Sequence, residues 1–260
     1  MPLSFKQKPG LVAYVTCGDP DLGTSREVVL AAIGAGADVI ELGVPFSDPV
    51  ADGPVIQRAS QRALDTHTSL EQVLQLARVV RKQSDAGMIV FSYLNPVLRF
   101  GLARFCAAAA DAGVDGALII DLPLEEAGEY LRCMRKRELA TVFLAAPTST
   151  EERLKRVCEE SRGFVYAVSR AGVTGTRREV AADASALVKR IRKFTKLPVA
   201  VGFGVSNAQQ FAEVGTFADA VVVGSAIVEV VEQNAPAGRA PEAVAEFISK
   251  LKSGVAASAR

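Results

Sequence analysis

Three carboxylates lie in or beside one short stretch of the chain, and they are the first candidates for chemistry. Glu41 follows the apolar sequence Asp38-Val-Ile, which predicts a short strand, while Asp48 and Asp52 lie in a loop interrupted by prolines and glycines. A carboxylate at the end of an apolar strand is unusual, because burying its ionised form without a partner is costly. One acid on a rigid strand and two on an adaptable loop are the arrangement of an active site.

Glu41 is the first candidate for a general acid or base. Apolar surroundings favour the neutral carboxyl group, so we expect the pKa of Glu41 to rise towards the range that proton transfer requires. The alternative is a structural acid bonded to loop amides. For Asp52 the alternative is ordinary turn chemistry in Ala-Asp-Gly-Pro, and Asp48 suits a turn or an interface. Asp121, before Leu-Pro, suits a structural role as well as a catalytic one, and Asp19, in Gly-Asp-Pro, is predicted to form a turn.

The residue types that the chain lacks narrow the chemistry further. The only histidine, His67, lies in a polar stretch and is predicted to be exposed, so neither a Ser-His-Asp triad nor a multi-histidine metal site can form. The lysines fall in predicted helices or near the termini, which disfavours Schiff-base chemistry. The four cysteines are scattered, at positions 17, 106, 133 and 158. We therefore expect metal-free carboxylate chemistry and no disulfides, as in a reducing cytoplasm.

A second signal consists of two glycine-bearing turns near the C-terminal end. Gly202-Phe-Gly204 follows one predicted strand, and Gly224-Ser225 follows the next and begins a helix. Glycine lets backbone amides approach an anion, and a helix N-terminus adds its dipole. Either turn alone is consistent with a tight connection, but the two together predict a phosphate site. The aromatic residues predicted to line the same mouth are Tyr14, Phe91, Tyr93 and Tyr166, with plain core packing as the alternative.

Eight short apolar segments are predicted to be the strands that position these residues. They are residues 11–16, 38–42, 87–93, 114–121, 140–145, 163–169, 197–203 and 219–224. Their continuous apolar character is typical of parallel strands covered on both faces. Amphipathic stretches lie between them, with capping boxes predicted at 68–71, 149–152 and 206–209, and an Ala-Gly-x-Asp sequence recurs at 35–38 and 112–115. Eight such units predict an α/β fold, a TIM (β/α)8 barrel with its site at the carboxyl ends of the strands.

The bulk composition predicts a single domain over residues 1–260. Hydrophobic residues make up 49% of the chain, enough for a barrel core, and no linker is visible. The net charge of +1 gives no reason to expect nucleic acid or an anionic membrane as a partner. We see no signal peptide and no apolar run long enough to span a membrane, so we expect a cytoplasmic protein. Two long connections, at 45–54 and 170–178, predict a closing lid.

Six motifs distributed from the first predicted strand to the last helix can be compared with known families. They are Thr16-Cys-Gly-Asp-Pro20, Glu41-Leu-Gly-Val-Pro-Phe-Ser-Asp-Pro-Val-Ala-Asp-Gly-Pro54, Tyr93-Leu-Asn-Pro96, Ser169-Arg-Ala-Gly-Val-Thr-Gly175, Gly202-Phe-Gly204 and Gly224-Ser-Ala-Ile227. Together they closely resemble the tryptophan synthase alpha subunit family, and the second and fourth are highly specific. The resemblance implies a cofactor-free lyase that cleaves indole-3-glycerol phosphate to indole and glyceraldehyde 3-phosphate in tryptophan biosynthesis.

The resemblance also implies roles for individual residues. Glu41 matches the family's acid/base, which protonates the indole C3. Asp52 matches the loop carboxylate that bonds the indole N–H and stabilises charge on the ring. Tyr166 matches a tyrosine facing the substrate, and Thr174 matches a loop residue that orients Asp52. The phosphate cradle implied by the resemblance comprises Gly175, Phe203, Gly204, Gly224 and Ser225.

A protein partner is implied as well: a pyridoxal-phosphate-bearing beta subunit that docks over the barrel mouth in an alpha2-beta2 heterotetramer and receives the indole. Pro45, Asp48 and Asn95 match loop positions near that interface. One departure concerns the start of the barrel, because only ten residues precede strand 1, where the family usually has a longer amphipathic helix. The resemblance therefore does not indicate which residues close the bottom face of the barrel.

Two alternatives come from other classes of protein. A sugar-phosphate isomerase with paired aspartates ending strands 1 and 5 would need acids where the chain has Thr16-Cys17 and Ala145-Ala146. A non-catalytic subunit that only activates a partner would have no use for both Glu41 and Asp52. The residues favour the lyase, and an activity assay of the isolated chain separates it from the non-catalytic subunit.

Overall fold

A sheet of parallel strands forms the centre of the computed structural model, which describes residues 3–168, 177–202 and 204–258. The strands are β1 (Gly10–Thr16), β2 (Val39–Gly43), β3 (Gly87–Ser92), β4 (Gly116–Ile119), β5 (Ala140–Thr141), β6 (Leu144–Ala145), β7 (Val165–Val168), β8 (Val199–Gly202) and β9 (Ala220–Val223). They are ordered β5-β4-β3-β2-β1-β9-β8-β7-β6. The strands of the two halves of the chain therefore meet at β1 and β9.

The ends of this sheet, β5 and β6, are two halves of the strand predicted at 140–145. β5 pairs with β4, whereas β6 pairs with β7 on the opposite side. The residues between them continue the hydrogen bonding, because Val142 N donates to Ala117 O at 3.0 Å and Phe143 O accepts from Tyr166 N at 3.1 Å. Counted as one interrupted strand, β5 and β6 complete eight and close the barrel. The predicted TIM barrel is confirmed, and the single-domain boundary at 1–260 stays a prediction.

Helices connect the strands and cover the outside of the barrel. They are α1 (Leu22–Gly34), α2 (Pro54–Asp65), α3 (Leu70–Arg81), α4 (Leu94–Phe100), α5 (Leu102–Asp111), α6 (Gly128–Lys136), α7 (Glu151–Glu160), α8 (Arg177–Ile191), α9 (Ala208–Gly215), α10 (Ser225–Asn234) and α11 (Ala240–Ser258). Alternate strand residues face the two sides: Leu11 and Ala13 pack towards the helices, while Val12 and Tyr14 belong to the interior cluster. Burial on both faces explains the continuous apolar runs. Among the described residues, no helix is long and apolar enough to cross a membrane.

Three helices begin one residue later than the capping pattern predicts. The caps are Ser69, Thr150 and Asn207 rather than Thr68, Ser149 and Ser206. In each case two residues capable of capping stand side by side, and the second one accepts the backbone N–H of the first turn. The helix α3 carries a full capping box, in which Gln72 reciprocates the bond from Ser69. The prediction of three helix starts was right, but the assignment of the cap residue was wrong.

The aspartates of the two Ala-Gly-x-Asp sequences, together with Asp219, tie neighbouring strands together at the bottom of the barrel. An aspartate just before β2, β4 or β9 accepts a backbone N–H at the start of β1, β3 or β8. The bonds are Asp38 to Leu11 at 2.9 Å, Asp115 to Met88 at 2.8 Å and Asp219 to Val199 at 2.9 Å. In the first two units the preceding glycine has a positive φ, at Gly36 and Gly113, which ends the helix and turns the chain into the strand.

The bottom face is covered by the segment that precedes β1. Leu3 is buried, and the Phe5 ring packs on Phe164 with centroids 6.0 Å apart. Leu3 also fills the space beside two glycines, since a Cβ added at Gly87 or Gly163 would lie within 2.9 or 2.7 Å of it. The side chains of Leu3 and Phe5 therefore close the bottom face, for which the family resemblance indicated no residues.

Candidate active site

Glu41 lies on β2 inside the barrel and is buried almost completely. Its side chain is in register with Tyr14 on β1, and the residue is 1% exposed. Among the described residues, its Oε1 atom has no hydrogen-bond partner. Burial raises the pKa of Glu41 from 4.5 to about 8, because an unpaired charge is poorly tolerated there. Glu41 is therefore a neutral acid at neutral pH, able to donate a proton.

Asp52 lies in the loop between β2 and α2, where the hydroxyl of Tyr93 holds it. Ala51 N donates to this hydroxyl at 2.9 Å, and the hydroxyl donates to Asp52 Oδ2 at 3.2 Å. Burial raises the pKa of Asp52 to about 6, and the hydrogen bond from Tyr93 opposes that rise. Asp52 is therefore ionised at neutral pH, in contrast to Glu41. Sequence reasoning placed Tyr93 at the mouth but missed this contact, which joins residues 41 positions apart.

Tyr14 lies within electrostatic reach of both carboxyl groups, and Tyr166 within reach of Glu41. The pKa of Tyr14 is raised by burial and then by the charge of Asp52, with a smaller contribution from Glu41. The pKa of Tyr166, on β7, is raised by burial and then by Glu41. The Tyr14 ring meets Phe91 edge-on at 5.1 Å between centroids. One aromatic-lined interior thus contains Glu41 and reaches Asp52.

Two glycines make room for the tyrosine hydroxyl groups. A Cβ added at Gly43 would lie 2.4 Å from the Tyr14 hydroxyl oxygen, and one at Gly202 would lie 2.7 Å from that of Tyr166. Any side chain at either position would displace the phenol. Gly202, which the sequence assigns to a phosphate turn, therefore also has a packing reason to be glycine.

The predicted anion cradle lies at the ends of β8 and β9. Gly204 has a φ of +79, and no atom of the described residues lies within 4 Å of the place where a Cβ would be. The helix α10 begins at Ser225 after Gly224, and within the described structure no side chain caps it. Its first amides and its dipole suit an anion such as phosphate. A Cβ at Gly224 would lie 3.5 Å from the Tyr14 Cβ, so the cradle adjoins the interior that holds Glu41.

Several predicted site residues fall outside the described residues. Thr174 and Gly175, in the 170–178 loop, and Phe203, in the cradle, are among them. Their roles in orienting Asp52 and binding phosphate stay predictions, as does the closing lid.

The three positions predicted to contact a partner differ in exposure. Asp48 and Asn95 are exposed, on the loop after β2 and on α4. Pro45 is buried and lines a cavity of about 340 Å³ together with Phe46 and Phe100. Direct contact with a partner is therefore easier to make from Asp48 and Asn95 than from Pro45.

Two further aspartates have structural contacts. Asp121 accepts the backbone N–H of Leu94 at 2.7 Å and so secures the start of α4, next to Tyr93. Asp19 lies in the turn predicted for it, where its backbone N–H donates to Thr16 O at 3.4 Å, and its buried side chain also forms a two-bond ion pair with Arg62, at 2.7 and 2.9 Å. That partner lies 43 positions away, which sequence reasoning did not anticipate.

Two carboxyl groups with opposite protonation states at the carboxyl ends of the strands define the class, a TIM-barrel enzyme that uses acid–base chemistry. Within that class, the chain belongs to the tryptophan synthase alpha chain family, whose sequence profile matches residues 2–256. The predicted family is confirmed.

Individual relatives agree over nearly the whole chain. A tryptophan synthase alpha chain from Solibacter usitatus is 49% identical over 257 residues, covering 99% of this chain and 96% of the relative. The structure of tryptophan synthase subunit alpha from Legionella pneumophila has a TM-score of 0.89 at 33% identity, covering 97% and 94% of the two chains. A chain of the tryptophan synthase complex from Pyrococcus furiosus has a TM-score of 0.87 at 36% identity, with 95% and 99% covered.

Proposed function

We propose that this chain cleaves indole-3-glycerol phosphate to indole and glyceraldehyde 3-phosphate, the lyase reaction of the alpha subunit in tryptophan biosynthesis. The observation that carries the proposal is the contrast between the two carboxyl groups. Burial keeps Glu41 protonated, whereas Asp52 ionises at a lower pH. Cleavage of a carbon–carbon bond next to an indole ring needs a proton donor and a stabiliser of positive charge, and these two states match those needs.

In the first step Glu41 gives its proton to C3 of the indole. The ring becomes a cation whose charge is shared with the ring nitrogen. The Asp52 carboxylate accepts the hydrogen bond from the indole N–H and stabilises that charge as it develops. Because the charge exists only after proton transfer, Asp52 acts mainly on the transition state.

In the second step the bond between C3 and the glycerol chain breaks, and its electron pair returns to the ring. The adjacent hydroxyl becomes the aldehyde carbonyl and loses its proton. Glu41 is now a carboxylate and takes that proton, which restores its starting state. The first turn of α10, with Gly204 and Gly224 beside it, holds the phosphate throughout.

The account predicts a bell-shaped dependence of kcat/KM on pH. Indole formation should rise through about pH 6 as Asp52 ionises, and fall through about pH 8 as Glu41 loses its proton. The measurement is indole release from indole-3-glycerol phosphate between pH 5 and pH 9. Activity that keeps rising from pH 8 to pH 9 would show that Glu41 is needed in its ionised form, contrary to the proposed first step.

The partner in this account is a tryptophan synthase beta subunit, with which the chain forms an alpha2-beta2 heterotetramer. The family membership and the likeness to a chain of the Pyrococcus furiosus tryptophan synthase complex support this assembly. Asp48 and Asn95 lie on exposed connections that follow β2 and β3, at the end of the barrel where indole would leave. We infer a cytoplasmic location from the biosynthetic role.

A further inference from the structure

An ion-pair cluster centred on Arg62 takes no part in the proton transfers of the proposed reaction. Arg62, on α2, binds two acids from different parts of the chain. Its Nε and Nη2 donate to the carboxylate of Asp19 at 2.7 and 2.9 Å, and its Nη1 donates to Glu232 Oε1 at 2.6 Å. We call these three residues the Arg62 clamp. The clamp joins the loop after β1, the helix α2 and the helix α10.

We propose that Arg62 is a positioning residue for cleavage, which holds the Asp52 loop at a fixed distance from the phosphate cradle. The inference rests on the proposed function, because it assigns Arg62 to the same reaction. It adds a residue that touches neither the substrate nor the reacting carboxylates.

The clamp is connected to Asp52 through the start of α2. This helix begins at Pro54, two residues after Asp52, and the Gln57 side chain donates to the Asp52 carbonyl oxygen at 2.9 Å. Asp52 and α2 are therefore linked by both the chain and a hydrogen bond. A shift of α2 would move Asp52 relative to the barrel.

The clamp is connected to the phosphate cradle through α10. Glu232 lies on the same helix as Ser225, about two turns further along. The helix α10 packs against α2 and β1, and the loop that follows β1 carries Asp19. The substrate spans the distance between the cradle and Asp52, so a displacement of about 1 Å between them can cost about a hundredfold in rate.

Burial makes Arg62 a stronger link than its neighbour Arg58. Asp19 is 3% exposed, so removing Arg62 would leave a buried acid without its charge partner. Arg58 lies one turn earlier on α2 and also pairs with Glu232, at 2.7 Å, but its side chain is 53% exposed against 32% for Arg62. Ion pairs between exposed side chains contribute little to the stability of a fold. Arg58 is therefore a matched control on the same helix with the same acid.

The test compares indole formation by Arg62→Ala, Arg62→Lys, Glu232→Gln and Arg58→Ala. We expect Arg62→Ala to lower kcat about tenfold or more, because Asp52 is no longer held in register, while KM changes less because the cradle remains. Arg62→Lys keeps the charge but loses the planar guanidinium that binds two acids. Its kcat should lie between those of the wild type and Arg62→Ala. Arg58→Ala should stay within about twofold of the wild type.

A double-mutant cycle with Asp52→Asn distinguishes an effect of Arg62 through Asp52 from a merely structural role. If Arg62 acts through Asp52, Arg62→Ala should cost much less in the Asp52→Asn background than in the wild type. Equal costs in both backgrounds, or a lower Tm with unchanged kcat of the folded protein, would overturn the inference. If Arg62→Ala does not fold, Glu232→Gln and Arg62→Lys decide. Glu232→Gln keeps the Asp19 pair and removes the charge on α10 that both Arg62 and Arg58 meet, and the Arg58→Ala control accounts for the Arg58 pair.

The result also distinguishes this inference from the proposed function. A wild-type chain that releases no indole refutes the function itself. A wild-type chain that does release indole, with unchanged kcat in Arg62→Lys and Glu232→Gln, refutes only the role of Arg62.

Discussion

Replacement of Glu41 by Gln is expected to lower kcat for indole formation by about a thousandfold or more, because glutamine keeps the shape of the side chain but has no acidic proton to transfer. Glu41 is buried inside the barrel, and its Oε1 has no hydrogen-bond partner within the described structure, so the substitution should disturb few contacts. The measurement is single-turnover indole release at pH 7. Near-normal release by Glu41→Gln would remove this residue from the mechanism.

The control for Glu41→Gln is its stability, which should not fall. The folded-state pKa of Glu41, about 8, lies above its ordinary value of 4.5, so the folded protein holds this proton more tightly than the unfolded chain. The contribution of Glu41 to stability is therefore complete below about pH 4.5 and is lost as the pH rises through 8. Glutamine does not titrate. Relative to the wild type, Glu41→Gln should accordingly become more stable between pH 5 and pH 8, as measured by thermal unfolding.

Replacement of Asp52 by Asn should lower kcat by about a hundredfold or more, with a much smaller change in substrate affinity. Asparagine can still accept a hydrogen bond from the indole N–H, but it provides no negative charge for the ring cation. The phosphate end of the substrate would still be bound at the α10 N-terminus. The measurement pairs the rate of cleavage with the Kd of a phosphate-bearing substrate analogue.

A variant at Tyr93 helps to interpret the Asp52 result. Tyr93→Phe removes the hydroxyl that donates to Asp52 and accepts from Ala51, but leaves the carboxylate in place. Its loss of rate should be smaller than that of Asp52→Asn. If Asp52→Asn weakens binding of the substrate analogue by the same factor as it slows cleavage, Asp52 is a binding residue and the role proposed for it is wrong.

Much of the barrel was predictable because each strand has a local signature. Strands buried on both faces are continuous apolar runs, and all eight predicted segments contain observed strands. The interruption at Val142 and Phe143 was not predictable, since their apolar side chains continue the run and the break arises from pairing with different neighbours. The helix caps were missed by one residue, because adjacent residues with equal capping ability carry no local signal to choose between them.

The site shows the same division between local and non-local information. Glu41 and Asp52 were predictable, because an acid at the end of an apolar strand or inside a Pro/Gly loop stands out in the sequence. The long-range contacts did not stand out: Tyr93 meets Asp52 over 41 positions, and Arg62, proposed to position Asp52, meets Glu232 over 170. The fold alone brings such pairs together, so their roles require coordinates.

The most direct test of the account is the release of indole from indole-3-glycerol phosphate by the purified chain, alone and with a tryptophan synthase beta subunit. The proposed mechanism should yield indole and glyceraldehyde 3-phosphate in equal amounts, slowly from the chain alone and faster with the partner. The partner and a bound substrate analogue should also strengthen each other's binding by the same factor. No indole under either condition, from folded chain and active beta subunit, would contradict the account.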